Sequence, residues 1–243
     1  MNEALKLFSL NIERGKHYDR WIPFVQKNDF DVICLQEVYK SDIAMFEERL
    51  GCQMYFAPMG NIFRDSSDKE EVVGVAMGFF IDHKKPLFDY YTDPYNPADF
   101  FGGPKSFQIC PRVLLCGLCI KNGKDFFIST THFTWTPDGH MNDCQKKDLR
   151  SFLRMLENYD DIVFCGDMNA PRGRITFDTI AKKYIDHIPK HYTTSIDSGL
   201  HLAGDLQLMV DALFSTPDYI AENVELVSGL SDHMGIVADI YHQ

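Results

Sequence analysis

The sequence predicts an α+β domain in which two β-sheets pack against each other beneath covering helices. Three observations predict it. Short apolar runs recur along the chain with turn residues between them, only three segments carry helical periodicity, and no stretch has the composition of a linker. Strands outnumber helices, so a sheet-on-sheet core fits better than a parallel sheet with a helix after every strand. A chain of 243 residues suits one domain, residues 1–243, with a substantial core.

The strand candidates, in chain order, are Leu5–Ile12, Val32–Gln36, Val72–Ile81, Val113–Ile120, Phe126–Phe133, Ile162–Cys165, Val210–Phe214, Val224–Val227 and Gly235–Ile240. Each is rich in Val, Ile, Phe or Leu and short enough for a sheet. Asp19 reads as the cap of a first helix whose Trp21, Phe24 and Val25 share one face, and Ser41 as the cap of a second carrying Ile43, Phe46 and Leu50. The clearest helix spans about 142–158, where Leu149, Phe152, Leu153 and Leu156 fall at i, i+3, i+4 and i+7. Between Phe88 and Phe107, three prolines and two glycines predict an irregular loop, yet it carries seven aromatics. Such a loop serves as a lid or substrate wall, or is pinned to the core by its own rings.

Composition narrows the class. With 45% hydrophobic and 24% charged residues the chain is an ordinary globular protein. No apolar run approaches the roughly 20 residues that span a bilayer, so no stable membrane insertion is expected. The N-terminus lacks the basic-then-apolar order of a signal peptide. Five of the seven cysteines lie in apolar runs, which suits buried, reduced thiols and a cytoplasmic location. A net charge of −11 argues against a broad electrostatic grip on long duplex nucleic acid. It leaves room for a phosphate ester, because a bound metal supplies positive charge locally.

Five segments place polar groups at the ends of apolar strands. Asn11 closes Leu-Phe-Ser-Leu-Asn-Ile, Glu37 closes Val-Ile-Cys-Leu-Gln-Glu, and His132 follows Ile-Ser-Thr-Thr. Val-Phe-Cys-Gly-Asp-Met-Asn offers Asp167 and Asn169 two residues apart, and Ser-Asp-His-Met-Gly sets Asp232 beside His233. Taken singly, each has a structural reading, as a turn residue or a satisfied histidine. Together, an Asn and several carboxylates form a hard-oxygen donor set suited to magnesium or manganese, and the two histidines add proton-transfer groups near neutral pH.

The ordered series Leu-Asn-Ile, Leu-Gln-Glu-Val, Thr-His-Phe, Gly-Asp-Met-Asn and Ser-Asp-His-Met-Gly resembles the signature of the endonuclease/exonuclease/phosphatase superfamily, and it runs from residue 7 to residue 240. The spellings Leu-Gln-Glu-Val and Ser-Asp-His-Met-Gly lean toward the branch of tyrosyl-DNA phosphodiesterase 2 and neutral sphingomyelinase. The resemblance implies a four-layered α/β/β/α sandwich of two mixed sheets, with the site at one end.

It also implies roles. Glu37 is the main metal-binding residue, with Asn11 and Asp232 beside it, and the metal is Mg2+ or Mn2+. Asp167 orients or deprotonates water, Asn169 holds the nucleophile and a phosphate oxygen, and His132 and His233 are the catalytic histidines. Asp211, in Val-Asp-Ala-Leu-Phe, matches the residue that orients His233, although Ala212 stands where many relatives have Arg. Arg112 resembles a substrate-contacting arginine, an ion-pair role being the alternative. The expected activity is hydrolysis of a short phosphodiester, such as a nucleic-acid end, a nucleotide or a lipid head group, by a monomer. An inactive binding module on the same fold is the competing class.

Overall fold

The computed structural model describes residues 3–64, 69–97 and 110–243. In chain order the elements are β1 (Leu5–Asn11), α1 (Tyr18–Lys27), β2 (Val32–Tyr39), α2 (Ile43–Leu50), β3 (Gln53–Phe63), β4 (Glu70–Phe79), β5 (His83–Tyr90), β6 (Val113–Lys121), β7 (Lys124–Thr131), α3 (Asp143–Leu156), β8 (Val163–Asp167), α4 (Ile175–Ala181), β9 (Ile185–Asp186), β10 (Asp211–Ser215), β11 (Tyr219–Val227) and β12 (Gly235–His242). One six-stranded sheet has the order β11-β12-β1-β2-β4-β3, and the other β5-β6-β7-β8-β10-β9. Both are mixed: β1 runs parallel to β2 and antiparallel to β12, while β7 runs parallel to β8 and β8 antiparallel to β10.

Strand alternation builds the layers. Successive side chains point to opposite faces of a sheet, so Leu7 and Cys34 turn inward while Phe8, Ile33 and Leu35 turn outward. The inward residues meet Leu115, Ile128, Val163 and Cys165 of the other sheet in the central core. Trp21, Ile22 and Val25 of α1 and Phe46 of α2 cover the outer face of the first sheet. Leu149, Phe152 and Leu156 of α3 and Phe177 of α4 cover the second, packed on Phe164 and Phe214. The result is the four-layered α/β/β/α sandwich.

The strands foreseen in the sequence are present, with ends shifted by a few residues. Elements not foreseen are β3, β5, β9 and α4. The two long ones are edge strands carrying Pro58 and Pro86, which a sheet tolerates at its rim because proline lacks a donor. Two caps differ as well: His17 precedes α1, with Asp19 inside its first turn, and Asp42 precedes α2, with Ser41 in a short 3-10 turn. Asn142 caps α3, accepting the Gln145 N–H at 2.8 Å.

The expected irregular loop of 88–107 begins as strand through Tyr90. Tyr91 is buried and stacks on Phe133 at 5.7 Å, and Tyr95 bonds Asn61 at 2.9 Å, so this stretch is tied to the core. Residues 98–107 of that call lie outside the described residues. All seven cysteines are free, and only Cys144 is exposed. Among the described residues no helix is long and apolar enough to cross a membrane.

Candidate active site

Topology brings the five motifs together. The parallel pair β1 and β2 ends at Asn11 and Gln36, which face each other in register. The parallel pair β7 and β8 ends at the same end of the second sheet, and β10 starts there, with Asp211 opposite Asp167. Strand β12 runs antiparallel to β1, so the Asp232–His233 turn before it returns to that end. Gln36 ties the two sheets below the site: its buried Nε2 donates to Ser9 Oγ at 3.3 Å and to Thr130 Oγ1 at 2.9 Å. Gly166 sits against the same crossing at φ 132°, where an added Cβ would meet the Thr131 carbonyl oxygen at 2.1 Å.

A cleft of about 480 Å³ opens over these strand ends. Glu37, Arg112, His132, Asp167, Asn169, Asp232 and His233 line it. Asn11 and Asp211 stand behind them. Asp167 is the hub: its Oδ1 accepts the Asn169 N–H at 2.8 Å, and its Oδ2 faces Asn11 Nδ2 at 3.2 Å, His132 Nε2 at 3.4 Å and His233 Nε2 at 3.9 Å. Burial acts to raise its pKa, but the neighbouring His233 and His132 and the Asn169 N–H hold the carboxyl well below the usual range. His233 turns its Nδ1 to Asp211 at 2.7 Å. Burial opposes charge on this imidazole, yet Asp211 and Asp167 outweigh it and hold it well above its ordinary value. Ser195 Oγ in turn accepts the Asp211 backbone N–H at 3.0 Å.

The Glu37 side is a carboxylate cluster. Asp232 is pushed up to about 6 by burial, with His233 opposing and the charges of Glu13 and Glu37 adding to the rise. Concentrated negative charge of this kind, presented by oxygen donors, is what a hard divalent cation relieves. The donor set therefore fits such an ion. A second group, Asp167, Asp211 and His233, has ligand atoms within 4.8 Å of one another, also close enough to hold an ion. There, however, His233 Nδ1 is engaged by Asp211.

Asn11 sits differently from the expected ligand. Its Oδ1 accepts the Glu13 N–H at 3.1 Å, so its Nδ2 faces Glu37 at 3.4 Å and Asp167. In this orientation it fastens two carboxylates together. Arg112 is buried and donates from Nη1 to the His132 carbonyl at 3.0 Å while lining the cleft.

Residues that sequence reasoning missed include Glu13, Arg14, Trp135 and His201. Glu13 is buried and pairs with Lys16 and His17, and Arg14 Nε lies 3.2 Å from Glu37 Oε2. The run Ile-Glu-Arg directly after Asn11 was the available signal; His201 and Trp135 gave none. Backbone strain marks the same region. Glu13, Arg14, Glu37, Asp138 and Asn169 all adopt positive φ, five of the seven such non-glycine residues among those described. Glu37 does so at the bulge between Leu35 and Val38, which re-aims its side chain out of the sheet pattern.

Comparison with known proteins places this geometry. The chain superposes on the endonuclease/exonuclease/phosphatase from Bacteroides vulgatus with a TM-score of 0.75 at 15% identity, covering 98% of this chain and 99% of that one. The human Nocturnin catalytic domain with bound sulfate gives 0.72 at 16% identity, over 99% and 94%. TDP2 from D. rerio, complexed with single-strand DNA product, gives 0.70 at 14% identity, over 98% of each chain. No curated protein sequence matches the chain. The model of the "Endonuclease/Exonuclease/phosphatase family" matches residues 8–233, from β1 to the histidine beside Asp211, and the chain belongs to that family.

Proposed function

We propose that this protein is a divalent-metal-dependent phosphodiester hydrolase acting on a short substrate by in-line attack of water. The observation that carries the reading is the convergence of the Asp167 carboxylate with the His233–Asp211 pair in one cleft, His233 Nε2 lying 3.9 Å from Asp167 Oδ2. A phosphodiester is anionic and repels hydroxide, so its hydrolysis needs an aligned water and positive charge at the phosphate. Asp167, ionised in the cleft, accepts a hydrogen bond from a water, aligns it and takes up its proton as the new phosphorus–oxygen bond forms. Asn169, fixed by its own Nδ2 bond to the Phe133 carbonyl at 3.0 Å, fixes the other side of that position.

His233 carries the charge. As an imidazolium oriented by Asp211 it neutralises a phosphate oxygen and holds a proton at Nε2 for the leaving oxygen. His132, 3.4 Å from Asp167, adds a second donor beside that carboxylate. Glu37 and Asp232 would hold a magnesium or manganese ion, whose chemistry when bound is to neutralise charge on a non-bridging oxygen. Asn11 keeps Glu37 and Asp167 at a fixed spacing, and Arg112 braces the His132 backbone beside the phosphate position.

The test is a substrate panel of abasic DNA, 5′-tyrosyl DNA, poly(A), sphingomyelin and phosphoinositides, each with and without magnesium. Metal-dependent turnover of one member, lost in Asp167→Asn, is the expected result. Turnover unaffected by Asp167→Asn removes the mechanism.

A further inference from the structure

Trp135 is half-buried, lines the cleft, and makes no ring contact with another aromatic among the described residues. Its backbone neighbours are fixed. Thr134 Oγ1 donates to Asp148 at 2.7 Å, and Gln145 Nε2 donates to the Thr134 carbonyl at 2.9 Å, to Thr136 Oγ1 at 3.3 Å and to the Asn169 carbonyl at 3.3 Å. Thr176 Oγ1 holds the other end of Gln145 at 2.6 Å. Thr134, Thr136 and Gln145 are all fully or almost fully buried. Gly139 closes the loop against Pro171, where an added Cβ would meet Pro171 Cδ at 2.1 Å. An indole on so rigid a support loses little entropy when a flat partner stacks on it.

Other parts of the cleft complete the picture. Leu206 and Leu208 line it from the segment before β10. Two polar groups join them: Asp138, an exposed acceptor, and His201. The Ala203 N–H donates to His201 Nδ1 at 3.1 Å, so the ring proton sits on Nε2 and is available to donate. An indole platform, an aliphatic surface and hydrogen-bonding groups of both kinds suit a planar heterocycle with a polar edge. A hydrocarbon chain would leave Asp138 and His201 without use.

We propose that Trp135, with Leu206 and Leu208, forms a subsite for the nucleobase of a nucleotide whose phosphate lies at Asp167 and His233. This rests on the phosphodiester-hydrolase reading and names its substrate class.

The chain has only two tryptophans, and Trp21 is fully buried in the core, so emission changes on ligand binding report Trp135. The full-length protein is titrated with AMP and with ribose 5-phosphate, by fluorescence and by calorimetry. Expected are quenching by AMP alone and an affinity for AMP about 10-fold above that for ribose 5-phosphate, the scale of one base stacked on an aromatic ring. Trp135→Ala abolishes this preference and Trp135→Phe, which keeps a ring, retains most of it. Equal affinity for the two ligands, or a preference that survives Trp135→Ala, overturns the subsite. Release of nitrophenol from bis(p-nitrophenyl) phosphate by wild type but not by Asp167→Asn reports the hydrolase reading separately. A failure of base recognition is thereby told apart from a failure of the chemistry.

Discussion

Asp211 Oδ2 and His233 Nδ1 lie 2.7 Å apart, both buried, although 22 residues separate them in sequence. Asp211 opens β10 in one sheet, and His233 sits on the turn that leads into β12 of the other, so the bond spans the two sheets at the cleft. It fixes which nitrogen of the imidazole faces solvent and which state it holds.

Asp211→Asn therefore tests charge and orientation together. Turnover falls by on the order of 10² or more, as when an oriented imidazole loses its carboxylate. The pH profile also moves. His233 is held above its ordinary value, so its charge persists at neutral pH and is lost as pH rises through that raised value. Removing Asp211 lowers that value, and the alkaline limb of kcat shifts to lower pH. An unmoved limb would detach His233 from the rate.

Much of this site was legible because hydrophobic strands seldom end on Asn, Glu, His and Asp by chance in five places. The sheet pattern placed Asn11, His132 and Asp167 at or beside strand ends, Glu37 at the bulge of β2 and His233 on the turn before β12. The ordered motif series supplied the roles that no single residue carried. The loop residues did not. Trp135 and His201 owe their positions to Gln145 and to the Asp197-anchored turn, contacts that no periodicity encodes. Strand β5 was hidden for a related reason. As an edge strand it carries Lys84, Lys85 and Pro86, which protect the rim from pairing and erase the apolar alternation.

Glu37→Gln keeps the shape of the side chain and removes the charge a hard cation needs. Magnesium affinity drops, and turnover drops with it. Calorimetric titration of both proteins decides the matter: unchanged affinity would strike Glu37 from the ligand set. The fold should persist, because Glu37 is only half-buried and Asn11 can still bond an amide oxygen.

Asp232 gives a stability test with a defined sign. Its carboxyl is raised to about 6 in the metal-free protein, so the neutral form is the one the fold favours. That contribution is present below the ordinary carboxylate range and is lost as pH rises through about 6. Asp232→Asn keeps the side chain neutral. At pH ~7.5 the metal-free variant melts higher than wild type, by on the order of 1 kcal/mol of stability, and the two converge near pH ~4.5. Magnesium, which needs the ionised form, stabilises wild type at the higher pH and the variant little. A variant that melts below wild type without metal at pH ~7.5 contradicts the crowding of Glu13, Glu37 and Asp232.

Gly166→Ala tests the crossing of the sheets. The φ of 132° is unfavourable for any L side chain, and the new methyl would meet the Thr131 carbonyl at 2.1 Å and Gln36 Nε2 at 3.2 Å. Destabilisation of about 2 kcal/mol or more follows from strain and contact together. Because Asp167 is the next residue, activity should fall even where the variant stays folded. A melting temperature equal to wild type would show that the backbone relaxes there freely.

The last prediction concerns how the protein holds a nucleic acid. Each phosphate neutralised by Lys or Arg releases counterions, so duplex binders lose affinity with a logarithmic salt slope of about −0.9 per contact. Arg172 and Arg174 follow Asn169 closely in the sequence, near enough to the scissile position for a phosphate contact to be considered. Arg172 is committed elsewhere: its Nη2 pairs with Asp186 at 2.9 Å and donates to the Ile188 carbonyl at 2.8 Å, and its guanidinium lies over the Phe177 ring. Lys146, Lys147, Arg150 and Arg154 are exposed on α3, the helix that covers the outer face of the second sheet. The net charge of −11 disfavours a broad electrostatic grip along a nucleic-acid backbone. Binding of the Asp167→Asn variant is measured on a long duplex and on a dinucleotide, from low to physiological salt. The dinucleotide should show a slope of about −2 or shallower, and the duplex should bind no more tightly. Tight duplex binding with a slope of about −5, equivalent to six or more phosphate contacts, would sink the short-substrate reading and restore that of a general endonuclease.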